Sequence, residues 1–282
     1  MRIINTNDKR SFFQSFYPEI LTSKQINQQL INDFAATRQG KGLEDYLKNK
    51  AWKADLEGET KVYLVKDREG SIALFFSIKC GLLYKNYQYD DLESDKLEFV
   101  NLLVDAILQE DNDTLNRYYD SKMYSFQEMD RLFKIAHKRV ELKMEDRELQ
   151  DNKHTLKVEE CYSAIEIHHF CKNSMYKMSG QVGIPLGFGL FWEVIVPLVY
   201  EITNKIGCKY LYLFAADQTS DKELKKLIQY YKNELKFSDV EDMMLIKPYY
   251  DKGCLGLVQA VSDLQNNRKA VWEEFSDVCS NR

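Results

Sequence analysis

Two stretches of the chain hold residues whose types and spacing can do chemistry. The first is AIEIHHF, Ala164 to Phe170. Its alternating isoleucines mark a β-strand, and by strand alternation Glu166 and His168 share one face while Ile165, Ile167 and His169 share the other. A carboxylate and an imidazole two residues apart can point into one cleft, which is what a proton acceptor requires. Adjacent strand residues point to opposite faces, so His168 and His169 cannot readily hold one ion unless a bulge intervenes, and no metal is expected. The second stretch is GIPLGFGLFWEVIVPLVYEI, Gly183 to Ile202. Gly187 and Gly189 let the backbone approach a ligand closely, and the helix after them opens with N–H groups that have no partner inside it. Such an end attracts anions.

Positioning these residues takes a sizeable core. The 282 residues are 44% hydrophobic and 13% aromatic, which suffices for one large domain or two smaller ones. The 39 basic and 44 acidic residues leave a formal charge of −5 and are spread along the chain. No basic arm stands out, so nucleic acid is not an expected partner. The first residues are too polar for a signal peptide, and no run approaches about 20 uninterrupted apolar residues, so no membrane is expected and the location expected is cytoplasmic. Six scattered cysteines without a C-x-x-C pair read as free thiols.

Periodicity then orders the elements. Ser23 can cap a helix with Ile26, Leu30, Ile31 and Phe34 on one face, and a second helix runs through Leu43, Tyr46 and Leu47. Lys61–Val65 and Ser71–Leu83 read as a hairpin around a turn at Asp67–Gly70. From Tyr84 to Leu156 the spacing is helical and charged, with one helix through Leu97, Val100, Leu103, Val104 and Ile107 and another from a capping box at Ser125 and Glu128. The remainder alternates: the strand CYSAIEIHHF, a helix Phe188–Ile206 kinked by Pro197, the strand CKYLYLFAA, a helix Ser220–Leu235, the strands MMLIKPYY and GCLGLVQAV, and a closing helix LQNNRKAVWEEF. Strands joined by a helical crossover should be parallel neighbours. The expected class is α/β (α+β), a mixed β-sheet flanked by helices with a helical insertion. Its parts are residues 1–83, the insertion 84–156, a core 157–261 and a last helix 262–282.

A phosphate-binding loop would need G-K-[ST] where Leu190 and Phe191 follow Gly189, and a dinucleotide fold would need a third glycine where Trp192 stands. The order of elements from about Ser23 to Val261 resembles instead the GNAT superfamily of acyl-CoA N-acyltransferases. In that family the turn reads [QR]-x-x-G-x-[GA]; here it is IPLGFG, with Gly187 and Gly189 matching and Ile184 where Gln or Arg is usual. The resemblance implies acetyl-CoA as co-substrate, its pyrophosphate held by the backbone at Gly187, Phe188, Gly189 and Leu190. It implies a gap beside the strand where backbone amides around Phe170, Cys171 and Lys172 face the thioester. LIQYYKNELKF resembles the family's helix end L-Y-x-K-x-G-F, with Lys236 in place of Gly; counting from Phe237 selects Tyr231 as the acid for the leaving thiolate, and counting from the lysine selects Tyr230. Glu166 is then the catalytic base, with His168 beside it. The expected activity is transfer of an acetyl group to a primary amine of a small molecule or protein, with a homodimer as the assembly to test. Two rivals stand beside it: a catalytically degenerate GNAT-like interaction module, and a nucleotide-binding oxidoreductase resting on Gly187, Gly189 and Asp217.

Overall fold

An eight-stranded mixed sheet organises the chain, and its strands follow where β-branched and aromatic residues alternate. The computed structural model describes residues 6–85, 92–148, 158, 160–178, 183–217, 219–241, 243–246 and 253–280. Two compact units divide it, residues 1–85 with 160–282, and residues 86–159.

In the first unit, helix α1 (Thr6–Phe13) and strand β1 (Tyr17–Ile20) come first, and neither is among the elements expected from periodicity. β1 lies at the sheet edge, where Pro18 is tolerated because its missing N–H leaves no ladder bond unmade. The helix expected from Ser23 is replaced by tight turns: 3₁₀ pieces at Leu21–Ser23 and Ile31–Asp33 with one helical turn at Asn27–Leu30 between them. Ser23 donates its hydroxyl to the carbonyl of Ile20 instead of capping. Asn27 is fully buried, gives its amide N–H to the carbonyl of Leu21 and accepts from Lys66, so the segment folds around a polar centre. Helices α2 (Lys41–Asn49) and α3 (Ala51–Leu56) follow. The hairpin forms as β2 (Lys61–Lys66) and β3 (Ile72–Lys85).

β3 ends at Lys85 and β4 begins at Glu160, and these two residues face each other in the antiparallel register. The second unit thus interrupts a strand pair whose ends already meet, a position that tolerates insertion. It contains α4 (Ser94–Leu108), α5 (Asn112–Asp120) and α6 (Phe126–Glu148). Phe99, Val100, Leu103 and Val104 pack with Met129, Leu132, Ala136 and Val140 as its own core. The Ser125 hydroxyl caps α6 by accepting from the Glu128 N–H.

The first unit resumes with β4 (Glu160–Lys172), α7 (Leu186–Thr203), β5 (Tyr210–Ala216), α8 (Asp221–Asn233), β6 (Ser238–Asp239), β7 (Met244–Leu245), β8 (Cys254–Ala260) and α9 (Val261–Ser280). Lys247–Tyr250 of the expected strand lie outside the described residues. Neighbours run β1-β2-β3-β4-β5-β8-β6, with β7 on β3. Among the described strands only the β4–β5 pair is parallel, as the helical crossover through α7 requires. One face of the sheet buries Val65, Phe76, Ile165, Ile167, Leu211 and Leu213 against α7 and its helical neighbours. The other buries Leu64, Phe75 and Cys171 under the segment from Leu21 to Trp52.

By length and composition α7 is apolar enough to cross a membrane, yet 61% of it is buried inside this unit as the core helix. Pro197 is accommodated without a break: Phe191–Ile195 is π-helical, with the Val196 N–H reaching the carbonyl of Phe191. Inside this apolar helix sits Glu193, whose carboxylate accepts from Arg10 of α1, from Gln14 in the turn after it, and from Arg268 and Trp272 of α9.

Candidate active site

β4 and β5 pair only from Ala164 opposite Tyr210 to Ile167 opposite Leu213, although β4 continues to Lys172 and β5 to Ala216. Past Ile167 a gap separates them. Its cause is visible on the other side of β4, where Ser77 faces His169 and Ile78 faces Ile167. His168 is an extra residue, a β-bulge. The bulge reverses the strand's parity. Before it Ile165 and Ile167 face the α7 core; after it Phe170 packs there while Cys171 lies in the opposite core. The expectation that His169 sits with the isoleucines is thereby corrected: it shares the face of Glu166.

The backbone reverses too. The Ser163 carbonyl accepts from Lys209, on the β5 side, whereas the Asn173 N–H donates to Ala73, on the β3 side. N–H and C=O of alternate strand residues point to opposite edges, so those of Phe170 and Lys172 point into the gap.

At the closed end of the gap a polar cluster forms. Tyr212 lies across Gly81 on β3, where any Cβ would collide with its ring and hydroxyl, and its hydroxyl donates to Glu166 Oε2 at 2.9 Å. His168 Nδ1 is 2.6 Å from Glu166 Oε1, and Lys79 Nζ is 3.4 Å from the same oxygen. Burial pushes the Glu166 carboxyl up, but the hydrogen bonds from His168 and Tyr212 and the charge of Lys79 outweigh it, so its pKa stays below the ordinary value.

His169 stacks on Tyr46 with ring centroids 3.8 Å apart, and its Nδ1 is 2.7 Å from the Ser77 hydroxyl. Burial, then the charges of His168 and Lys79, hold its pKa down at about 3. A histidine depressed on folding is protonated first in the unfolded chain. The stability tied to its neutral form is complete above pH 6.5 and falls as pH drops from 6.5 toward 3, by up to about 1.4 kcal/mol per pH unit. Replacing it, as in His169→Phe, should therefore flatten the acid loss of stability in urea unfolding between pH 6.5 and 5; an unchanged slope would show that His169 is not held neutral.

At the glycine turn the reading from sequence changes in detail. Gly187 and Gly189 lie within the first turn of α7, and the left-handed residue is Gly183, with φ 68°. Gly189 has its N–H bonded to the Pro185 carbonyl at 3.1 Å, and a Cβ there would collide with the ring of Phe13. Ile184 is buried in the α7 core. The helix start carries no side-chain cap, and the amides of its first residues, Leu186 and Gly187 among them, precede the first intrahelical bond at Gly189. Phe188 and Leu190 are buried, and their side chains belong to the core.

The two tyrosines separate clearly. Tyr231 is core, packed against Phe237. Tyr230 places its hydroxyl 3.4 Å from where a Cβ of Gly187 would stand, with the Phe170 ring at 3.7 Å from the same point. Burial raises the pKa of both. Among the described residues no group of three His, Cys, Asp or Glu side chains could hold a metal ion. A cavity of about 490 Å³ lies elsewhere, beside Phe12, Asp67, Tyr176 and Lys177.

No protein-family model matches the chain, and no curated protein matches it. Solved structures overlap it along most of its length. A tyrosine-to-phenylalanine variant of the AtaT toxin has 10% identity and a TM-score of 0.46, covering 90% of this chain and 94% of that one. AtaT complexed with acetyl-methionyl-tRNAfMet has 10% identity and a TM-score of 0.44, covering 89% and 98%. AtaTR bound with AcCoA has 10% identity and a TM-score of 0.44, covering 90% and 98%. At TM-scores below 0.5 the chemistry is left to the residues of the site. In its own order of elements, the hairpin, long strand, glycine turn, core helix and parallel strand, the chain is GNAT-like in fold.

Proposed function

We propose that the protein is an acyl-CoA N-acyltransferase that passes an acetyl group from acetyl-CoA directly to a primary amine. The observation that carries this reading is the gap beyond Ile167, where two strand amides with no strand partner on that side among the described residues open next to a buried carboxylate. A pantetheine arm fits such a gap as a pseudo-strand, its thioester oxygen accepting from the N–H of Phe170 and Lys172 as negative charge develops there. The amides of Leu186 and Gly187 take the pyrophosphate. The Glu166 side of the gap accepts the ammonium proton. Tyr230, the second choice from the sequence, has the hydroxyl that reaches the turn and protonates the departing thiolate in place of Tyr231, the first choice, which packs in the core.

Direct transfer is favoured over an acyl-cysteine intermediate. Cys171 lies on the part of β4 that borders the gap, and burial, with Glu44 adding to it, pushes its thiol up to about 12. A thiol so seldom ionised is a poor nucleophile.

Calorimetry with acetyl-CoA and a transfer screen test the reading together. The amines to screen are polyamines, lysine peptides, aminoglycosides and an aminoacyl-tRNA. Saturable binding and acetylation of at least one amine are expected. No saturable binding would leave the interaction module as the better account.

A further inference from the structure

Granted acyl transfer, the sequence names Glu166 as the proton acceptor, but its surroundings leave it little room for that work. Only 4% of the residue is exposed. Oε2 accepts from Tyr212, and Oε1 faces both His168 Nδ1 and Lys79. We propose that His168 is the catalytic base, accepting the substrate's ammonium proton at Nε2, and that Glu166, Tyr212 and Lys79 are positioning residues that fix its ring. This rests on the acyl-transfer reading for its chemistry, though not for its geometry.

The donor must be assigned first. An ionised carboxylate can only accept, so the 2.6 Å contact to Glu166 requires the proton on His168 Nδ1. In the neutral ring that leaves the lone pair on Nε2. The side chain of His168 is 24% exposed against 5% for Glu166, so of the two it is the one a substrate can touch. His168 lies on the face that alternation gives it with its i−2 neighbour Glu166, and the bulge adds His169 to that face.

The groups facing His168 do not oppose the assignment. His169 lies edge-on at 4.3 Å between ring centroids and is kept neutral, and Tyr46 of α2 covers the face of His169. Lys79 reaches from β3 and Tyr212 from β5, both onto the carboxylate.

The step balances without a further reactant. The ammonium gives one proton to Nε2. The freed nitrogen pair forms the C–N bond while the carbonyl π pair moves onto oxygen, facing the strand amides. Collapse breaks the C–S bond, the electron pair leaves on sulfur, and the thiolate takes its proton from the Tyr230 hydroxyl. The second nitrogen proton returns to Tyr230, and His168 releases its proton to solvent.

Two measurements on the full chain test this. The chain has four histidines, so the ring nitrogens of His168 can be assigned in a ¹⁵N spectrum by comparison with His168→Gln. With no acyl donor present, the Nδ1–H tautomer should dominate, and Glu166→Gln, whose amide can donate, should shift it toward Nε2–H. In kinetics, His168→Gln should lower kcat by about 10²- to 10⁴-fold and remove the acid-side bend of the pH profile, with acetyl-CoA affinity unchanged as the check on folding. Glu166→Gln should lose less and keep the bend. An Nε2–H tautomer in the wild type, or transfer that survives His168→Gln at the wild-type rate, overturns the proposal alone. Absence of transfer to any amine by the wild type overturns the acyl-transfer reading and the proposed step with it.

Discussion

Glu193→Ala is expected to cost about 3–5 kcal/mol of stability, the loss typical when one partner of a buried ionic network is removed. The carboxylate is the joint of three helices. Arg10 of α1 and Gln14 just after it reach the carboxylate at 3.0 and 2.7 Å, Arg268 grips both oxygens at 3.1 and 2.6 Å, and the Trp272 indole N–H donates at 2.7 Å. Truncation leaves two guanidinium groups and an indole donor facing each other with no acceptor. The ends of the described chain, which otherwise meet nowhere in sequence, lose their common anchor on α7. Glu193→Gln should lose less, since its carbonyl oxygen still accepts while its amide N–H₂ meets other donors. Urea unfolding of the three proteins gives the ranking. A loss of less than about 1 kcal/mol in the alanine variant would mean that α1 and α9 are held by their apolar contacts and not by this carboxylate.

That joint shows what a sequence pattern reveals and what it hides. In LFWEVIVPL a single glutamate amid apolar residues breaks the period and carries no sign of its partners, which lie more than 70 residues away on both sides. The elements with a strong local period were legible. The hairpin around Asp67–Gly70, the capped helices α6 and α8 and the buried strand β5 appear within a few residues of their expected bounds, because capping and alternation are properties of adjacent residues. β1 and α1 were not legible, being short and stabilised by pairing and packing with distant residues.

The site was legible in its parts and not in its geometry. Nothing in AIEIHHF marks His168 as a bulge: there is no glycine, and the extra residue exists only relative to the register of β3. Yet the bulge puts His169 on the face of Glu166 and turns the amides of Phe170 and Lys172 toward the gap. The gap itself is a statement about where two strands stop pairing, which neither strand encodes alone. Gly81 is similar. In a strand its lack of a side chain reads as a weakness, and its reason is the ring of Tyr212, supplied by β5.

Gly187 and Gly189, two glycines in one helical turn, should separate by experiment along the same line. Gly189→Ala gains about 1 kcal/mol in helix propensity, but its methyl must displace Phe13, a ring with no exposure, packed at 5.2 Å from Phe12 and 6.2 Å from Trp272 between ring centroids. Overpacking of that kind costs about 1–3 kcal/mol, so the protein should be destabilised, and Phe13→Leu should recover part of the loss, giving a coupling in a double-mutant cycle. Acetyl-CoA affinity should hold where the variant is folded, because the Gly189 N–H is already spent on Pro185. Gly187→Ala should behave in the opposite way. Its methyl meets only ordinary contacts, the Tyr230 hydroxyl at 3.4 Å and the Phe170 ring at 3.7 Å, so stability should change little. That methyl would, however, stand between the open helix end and the strand gap, where the coenzyme has to pass, and affinity should fall. If the two variants exchanged these behaviours, the diphosphate would sit at Gly189, and α1 would have to move aside for it.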